Sequence, residues 1–193
     1  MRLFTLFFIF SISFQSLFGH TSSAKLDFPS INYSGTSSPK NKLTIISSDK
    51  LRRKERELAI TRINKLVDWS IYDKKIFETI NSNLKTTYLA KIGNDVVGYA
   101  ILSPDRQLLS CLAVNPNYQK KGIGTKLLER IFLQAGKSGL TELFWNYRAN
   151  RPELDHFYKN FLITHHTSYD LLQIEPYLNG DPKNRVRAFI NKN

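Results

Sequence analysis

The sequence predicts a mixed α/β fold, one sheet flanked by helices, and three observations carry that prediction. Two β-rich runs, Thr86 to Ile92 and Val96 to Leu102, are joined by Gly93-Asn94-Asp95 in the manner of a hairpin. A third run, Leu108 to Val114, is apolar almost throughout, as expected of a central strand covered on both faces. A turn at Gln119 then opens a stretch with Ile123, Leu127, Leu128, Ile131, Phe132 and Ala135 at helical spacing. At 193 residues, 41% hydrophobic and 23% charged, the chain has the size and composition of one globular domain.

In chain order, residues 1–24 read as an address or an anchor. Arg2 precedes an apolar stretch from Leu3 to Phe18, and small residues follow as far as Ala24, the pattern of a secretory signal peptide. The stretch falls slightly short of the ~20 residues that span a bilayer comfortably, and an uncleaved membrane anchor through residues 3–18 is the alternative. Residues 25–42, rich in Ser, Pro, Asn and Lys, read as a flexible linker containing the sequon Asn32-Tyr33-Ser34. The folded domain is therefore residues 43–193.

Leu43 to Ile46 reads as a short strand. Ser47, Ser48 and Asp49 are N-cap candidates for a helix with Leu51, Leu58, Ala59, Ile63, Leu66 and Val67 inward and Lys50, Arg52, Arg53, Lys54 and Arg56 on a solvated face. A second helix carries Ile76, Phe77, Ile80 and Leu84. After the hairpin, the central strand and the Gln119 helix, which Gly136 and Gly139 stop, comes a strand from Leu140 to Tyr147. Pro152 opens a last helix with Leu154, Phe157, Tyr158 and Phe161 on one stripe. A run from Leu162 to Leu172, with His165 and His166 on opposite faces of a strand, and a strand near Val186 to Ile190 close the chain. The predicted order is β-α-α-β-β-β-α-β-α-β-β, without internal repeats.

A formal net charge of +12 favours anionic ligands without naming one, and no specific nucleic-acid binding is expected from it. Cys111, the single cysteine, excludes an intrachain disulfide and reads as a buried small hydrophobe. His20, His156, His165 and His166 have no partners at a metal-ligand spacing, so no metal is expected.

The turn Gln119-Lys120-Lys121-Gly122-Ile123-Gly124-Thr125 carries chemistry. A helix start has backbone N–H groups without internal partners and a partial positive charge, and both attract phosphate. Gly122 and Gly124 remove side chains where a diphosphate approaches, Lys120 and Lys121 add charge, and Thr125 adds a hydroxyl. Leu127 stands where a dinucleotide fingerprint has its third glycine, and no glycine-lysine pair at P-loop spacing is present.

With these elements placed, the chain resembles the GCN5-related N-acetyltransferase (GNAT) family over about residues 43–191. Leu112-Ala113-Val114-Asn115-Pro116-Asn117-Tyr118-Gln119-Lys120-Lys121-Gly122-Ile123-Gly124 matches that family's central strand and its Gln/Arg-x-x-Gly-x-Gly/Ala motif without a gap. The resemblance implies a mostly antiparallel mixed sheet of the acyl-CoA N-acyltransferase fold and acetyl-CoA as co-substrate. It implies that Leu112, Ala113 and Val114 pair through their backbone with the pantetheine arm and that the amides from Gln119 to Thr125 hold the pyrophosphate. An amine acceptor would attack the thioester directly. Tyr158, in Phe157-Tyr158, matches the family's tyrosine that protonates the leaving thiolate.

Two departures accompany the match. Asn150, assigned to the coenzyme, stands eight residues before Tyr158 instead of seven, and Phe161 follows Asn160 with no glycine. The central strand carries no Glu or Asp base; Glu142, Glu153 or Asp155 would act through water, and their spacing selects none. The leading reading is an acetyl-CoA-dependent N-acetyltransferase acting on a small-molecule or peptide amine, exported or membrane-associated through residues 1–24, with a cytoplasmic location as alternative. A catalytically silent acetyl-CoA-binding or protein-interaction module on the same fold is the alternative function. The acceptor and the oligomeric state stay open.

Overall fold

The computed structural model describes residues 42–67, 73–174 and 183–190. The expected signal or anchor segment, the sequon and all of the linker but Lys42 lie outside the described residues. The elements follow the predicted order: β1 Leu43–Ser47, α1 Arg53–Leu66, α2 Asp73–Ser82, β2 Thr87–Ile92, β3 Asp95–Ser103, β4 Leu108–Val114, α3 Ile123–Lys137, β5 Glu142–Arg148, α4 Pro152–Thr164, β6 Tyr169–Ile174 and β7 Lys183–Phe189.

The strands form one sheet in the order β1-β2-β3-β4-β5-β7-β6. Every neighbouring pair is antiparallel except β4 and β5, which run parallel. The hairpin of β2 and β3 closes on Ile92↔Asp95. Between β3 and β4 the register steps from Ile101↔Cys111 to Leu102↔Leu109, so Ser110 is an extra residue, and its hydroxyl lies 2.7 Å from that of Ser103.

Helices cover the sheet on both faces. One core joins Leu127, Leu128 and Ile131 of α3 and Tyr158, Phe161 and Leu162 of α4 to inward residues of the strands, among them Tyr88, Ala100, Leu143, Trp145 and Val186. The other sets Ile60 and Ile63 of α1 and Ile76 and Ile80 of α2 against Leu89, Tyr99, Ile101 and Ala113.

The first helix differs from its sequence-based reading. Ser48 does not cap it, because its hydroxyl donates to the Leu84 carbonyl at 2.8 Å within a 3-10 turn at Ser48–Lys50. α1 starts after Arg52, whose N–H reaches the Glu55 carboxylate at 3.4 Å. Leu58 and Leu66, expected inward, are exposed, whereas Arg56, expected in solvent, is buried and donates through Nη1 to the carbonyls of Ser48 and Leu51. Asn64 is also inside, accepting from the Tyr99 hydroxyl at 2.5 Å and donating to Asp73 at 2.6 Å. Polar residues with internal partners rotate the buried face away from the purely apolar one.

At the other end α4 continues through Leu162 to Thr164, and β6 begins only at Tyr169. His165 is thus the helix C-cap, stacked on Phe161, and His166 sits in the following turn with φ 49°, so the two do not alternate across a strand. Gly136 lies within α3 instead of stopping it.

Ile131 is fully buried under the sheet and Leu133, on the same helix, is 41% exposed. Ile131→Ala is expected to cost about 2–5 kcal/mol of unfolding free energy, and Leu133→Ala less than about 0.5 kcal/mol. Denaturant titration of both variants checks the assignment of the buried face.

Candidate active site

β4 and β5 share one register pair, Leu108↔Phe144, tied by the Phe144 N–H donating to the Gln107 carbonyl at 2.8 Å. Beyond it no further pair joins them among the described residues, and a gap opens toward Val114 and Arg148. The Asn115 N–H donates to Val97 on the β3 side at 2.8 Å. By alternation along the strand, the backbone groups of Val114 and Leu112 face the gap, while those of Ala113 face β3. The side chains of Leu112 and Val114 are half-buried and that of Ala113 is buried.

The turn after β4 leads to the mouth of this gap. Pro116–Tyr118 forms a 3-10 turn in which the Asn115 side chain accepts from the Asn117 N–H at 3.0 Å. Gln119 is extended, Lys120 and Gly122 are left-handed with φ 58° and 75°, and α3 begins at Ile123. The first helical bond is Lys126 N–H to the Gly122 carbonyl at 3.0 Å. The N–H groups of Lys120, Lys121, Gly122, Ile123, Gly124 and Thr125 make no hydrogen bond among the described residues. A row of unsatisfied donors at the positive end of a 15-residue helix is an anion cradle.

The two glycines have different jobs. A Cβ on Gly122 would meet nothing within 4 Å, so this position leaves space over the donors and supplies the left-handed turn. A Cβ on Gly124 would come within 3.2 Å of the Phe157 ring, so the bare Cα at Gly124 admits α4 against the start of α3. The side chains are also divided. Gln119 donates through Nε2 to the Val114 carbonyl at 3.1 Å, tying turn to strand, and Lys121 folds back to the Asn117 carbonyl at 3.3 Å and over the Tyr118 ring. Neither contact is visible in the motif, because both depend on how the turn folds.

Tyr158 is 7% exposed among Phe157, Trp145 and Tyr147, with ring centroids 5.0–5.4 Å apart. Burial pushes its hydroxyl well above the usual tyrosine range, and the nearby Cys111 thiol and Tyr147 add to the rise. In the core on the other face of the sheet, burial pushes the Cys111 thiol up to about 12, opposed in part by a hydrogen bond with Tyr99.

The three carboxylates named as candidate bases are all engaged. Asp155 accepts from the Tyr147 hydroxyl at 2.6 Å and pairs with Lys159 at 2.9 Å, which hold it below the usual carboxylate range. Glu153 is exposed and held low by a backbone hydrogen bond and by Arg151. Glu142 pairs with Arg187. Asn150 is exposed in the turn between β5 and α4. Among the described residues no group of three or more His, Cys, Asp or Glu is placed to hold a metal ion.

The family model of the GNAT acetyltransferases matches residues 52–161, more than half of the chain. The amino-acid acetyltransferase of Pseudomonas fluorescens (strain Pf0-1) is 50% identical over 46 residues, which are 24% of this chain and only 11% of that protein. The ribosomal-protein-S18-alanine N-acetyltransferase from Escherichia coli superposes with a TM-score of 0.59 at 20% identity, over 77% of this chain and 93% of that one. The structure of yncA from Salmonella typhimurium with its cofactor acetyl-CoA does so with 0.59 at 16% identity, over 79% and 96%. At these identities the structural likeness is one of fold.

Separate roles for the two glycines predict separate losses. Gly122→Ala should cost about 1–2 kcal/mol through left-handed strain alone, whereas Gly124→Ala should cost about 1–3 kcal/mol by displacing the Phe157 ring. Trimming that ring with Phe157→Leu should recover stability in the Gly124→Ala background only, as read from denaturation midpoints; recovery in both backgrounds would contradict the assignment.

Proposed function

The chain belongs to the GNAT acetyltransferase family, and on that premise we propose that it is an acetyl-CoA-dependent N-acetyltransferase which passes the acetyl group directly to an amine. One observation carries the reading: the unpartnered N–H row from Lys120 to Thr125 stands at the mouth of the gap beside β4. The row fits a pyrophosphate. The free backbone edge of Leu112 and Val114 fits the amide-bearing pantetheine arm, which would lie as a short strand where β5 has turned away. Acetyl-CoA supplies the activated acyl group, and the protein's part is to place it and manage two protons.

The amine acceptor must shed a proton before it attacks. Glu142, Glu153 and Asp155 are each held by a cation, so we assign that proton to solvent. As the C–N bond forms and the C–S bond breaks, Tyr158 gives its hydroxyl proton to the departing thiolate. In water the phenol would be a weak donor to a thiolate, since ~10 lies above ~8.5. Burial raises thiol and phenol alike, as at Cys111 and Tyr158, so it does not close that gap, and the transfer depends on the hydroxyl being positioned against the sulfur.

The relative from Pseudomonas fluorescens, an amino-acid acetyltransferase, makes free amino acids the first acceptors to assay. Tyr158→Phe should leave acetyl-CoA affinity in a calorimetric titration within about twofold while turnover falls about 10²–10⁴-fold, the usual weight of general acid catalysis. Undiminished turnover would remove Tyr158 from the mechanism. No turnover by the unaltered protein across a broad amine panel would remove the enzymatic reading itself.

For location we propose export or membrane association through the apolar run from Leu3 to Phe18. The mature protein should then lack residues 1–24 or remain in the membrane fraction. A soluble chain still beginning at Met1 would favour the cytoplasm instead.

A further inference from the structure

The first helix has two unlike faces. Arg56, Ile60, Ile63 and Asn64 are buried. On the opposite arc α1 exposes Lys54, Glu55, Leu58, Arg62, Lys65 and Leu66, which at 3.6 residues per turn fall within about 120° of one another. Leu58 is 54% exposed and Leu66 51%, and eight residues of rise set them ~12 Å apart along the axis. Among the large apolar side chains exposed in the described residues, this is the one pair on a single helix face. Leu133 and Ile163 are each alone on α3 and α4, while Leu171 and Leu172, successive in β6, point to opposite sides of the sheet.

Cations stand between and beside these leucines. The side chains of Lys54, Arg62 and Lys65 make no hydrogen bond or ion pair among the described residues. Glu55, the one acid of the arc, is engaged at the helix start, where its carboxylate accepts from the Arg52 N–H at 3.4 Å. Arg53, beside the arc, is already paired with Glu57 at 2.7 Å. The same mixture continues past the end of the helix. Arg62, Lys65 and Leu66 line an open groove of about 420 Å³ together with Val96, Val97 and Tyr118, and Asp95 is the one acid there.

We propose that the outer arc of α1 is a docking surface for an anionic lipid bilayer. A nucleic acid would use the cations and leave the leucines in water. An anionic bilayer uses both: Leu58 and Leu66 enter the boundary between headgroups and acyl chains, and the long stems of Lys54, Arg62 and Lys65 let their charges stay among the phosphates. The chain carries a second reason to meet a membrane, because the apolar run Leu3 to Phe18 precedes α1 in the sequence. The inference adds to the location proposed above the face by which the folded domain would touch lipid, and it does not depend on the acetyltransferase reading. Since α1 packs on the opposite side of the sheet from α3 and α4, docking would keep those two helices turned away from the bilayer.

The test labels surface lysines of the full chain with an amine-reactive reagent, read by mass spectrometry, on vesicles of phosphatidylcholine alone and of an equal mixture with phosphatidylglycerol. Lys54 and Lys65 should label about fivefold more slowly on the mixed vesicles than on the neutral ones, the scale of one cation held at an anionic surface. Lys137, exposed at the end of α3, should label alike on both. High salt should remove the protection, and so should Leu58→Gln combined with Leu66→Gln, in a variant whose denaturation midpoint shows that it is folded. Equal labelling of Lys54 and Lys65 on the two vesicles, protection of Lys137 along with them, or protection unmoved by the double variant overturns the docking surface. Protection by a DNA duplex and not by vesicles overturns it as well. A chain that floats with both kinds of vesicle while Lys54 and Lys65 label alike keeps membrane association through Leu3 to Phe18 and loses the α1 surface.

Discussion

The hydrogen bonding around the Leu108↔Phe144 pair, which includes the Phe144 N–H to the Gln107 carbonyl, marks where the sheet is still continuous. Past that point β4 stays with β3 and β5 stays with β7, and the parallel pair ends after Leu108↔Phe144. Parallel pairing is slightly weaker per residue than antiparallel pairing, and each of these strands has an antiparallel neighbour to hold it. The opening costs a few ladder bonds and creates a slot walled by backbone on one side, with Tyr158 of α4 among the aromatic rings that pack on the other wall. Had the two strands zipped to their ends, Leu112 and Val114 would have no free edge.

The turn that follows β4 is set by the same geometry. Gln119 fastens it to the Val114 carbonyl, and two left-handed residues reverse the chain into α3 so that its first N–H groups lie beside the slot. Phe157 reaches into the space that Gly124 leaves, so the helix bearing Tyr158 is positioned against the start of α3. The turn proposed to hold the coenzyme and the tyrosine proposed as proton donor are thereby linked through one packed contact.

On the opposite face, α1 and α2 are held by polar bonds inside the core. Arg56 satisfies carbonyls of the 3-10 turn before α1, and Asn64 links Tyr99 to Asp73. Buried polar groups of this kind are costly when a partner is lost, so they define one seating of the helices over β3 and β4.

The order of all eleven elements, the hairpin, the central strand and the glycine-bearing turn that opens α3 were legible in the residues, because alternation, helical spacing and glycine placement are local properties of the chain. The inward face of α1 was misread for a physical reason: Arg56 and Asn64 look like surface residues until the partners that satisfy them, distant in sequence or hidden in a turn, are known. The division of labour between Gly122 and Gly124 and the engagement of Glu142, Glu153 and Asp155 were likewise decided by tertiary structure alone. Each depends on which strands lie side by side and where two of them separate, and strand pairing joins residues up to 49 positions apart, as in Leu43↔Ile92, whose proximity no local pattern records.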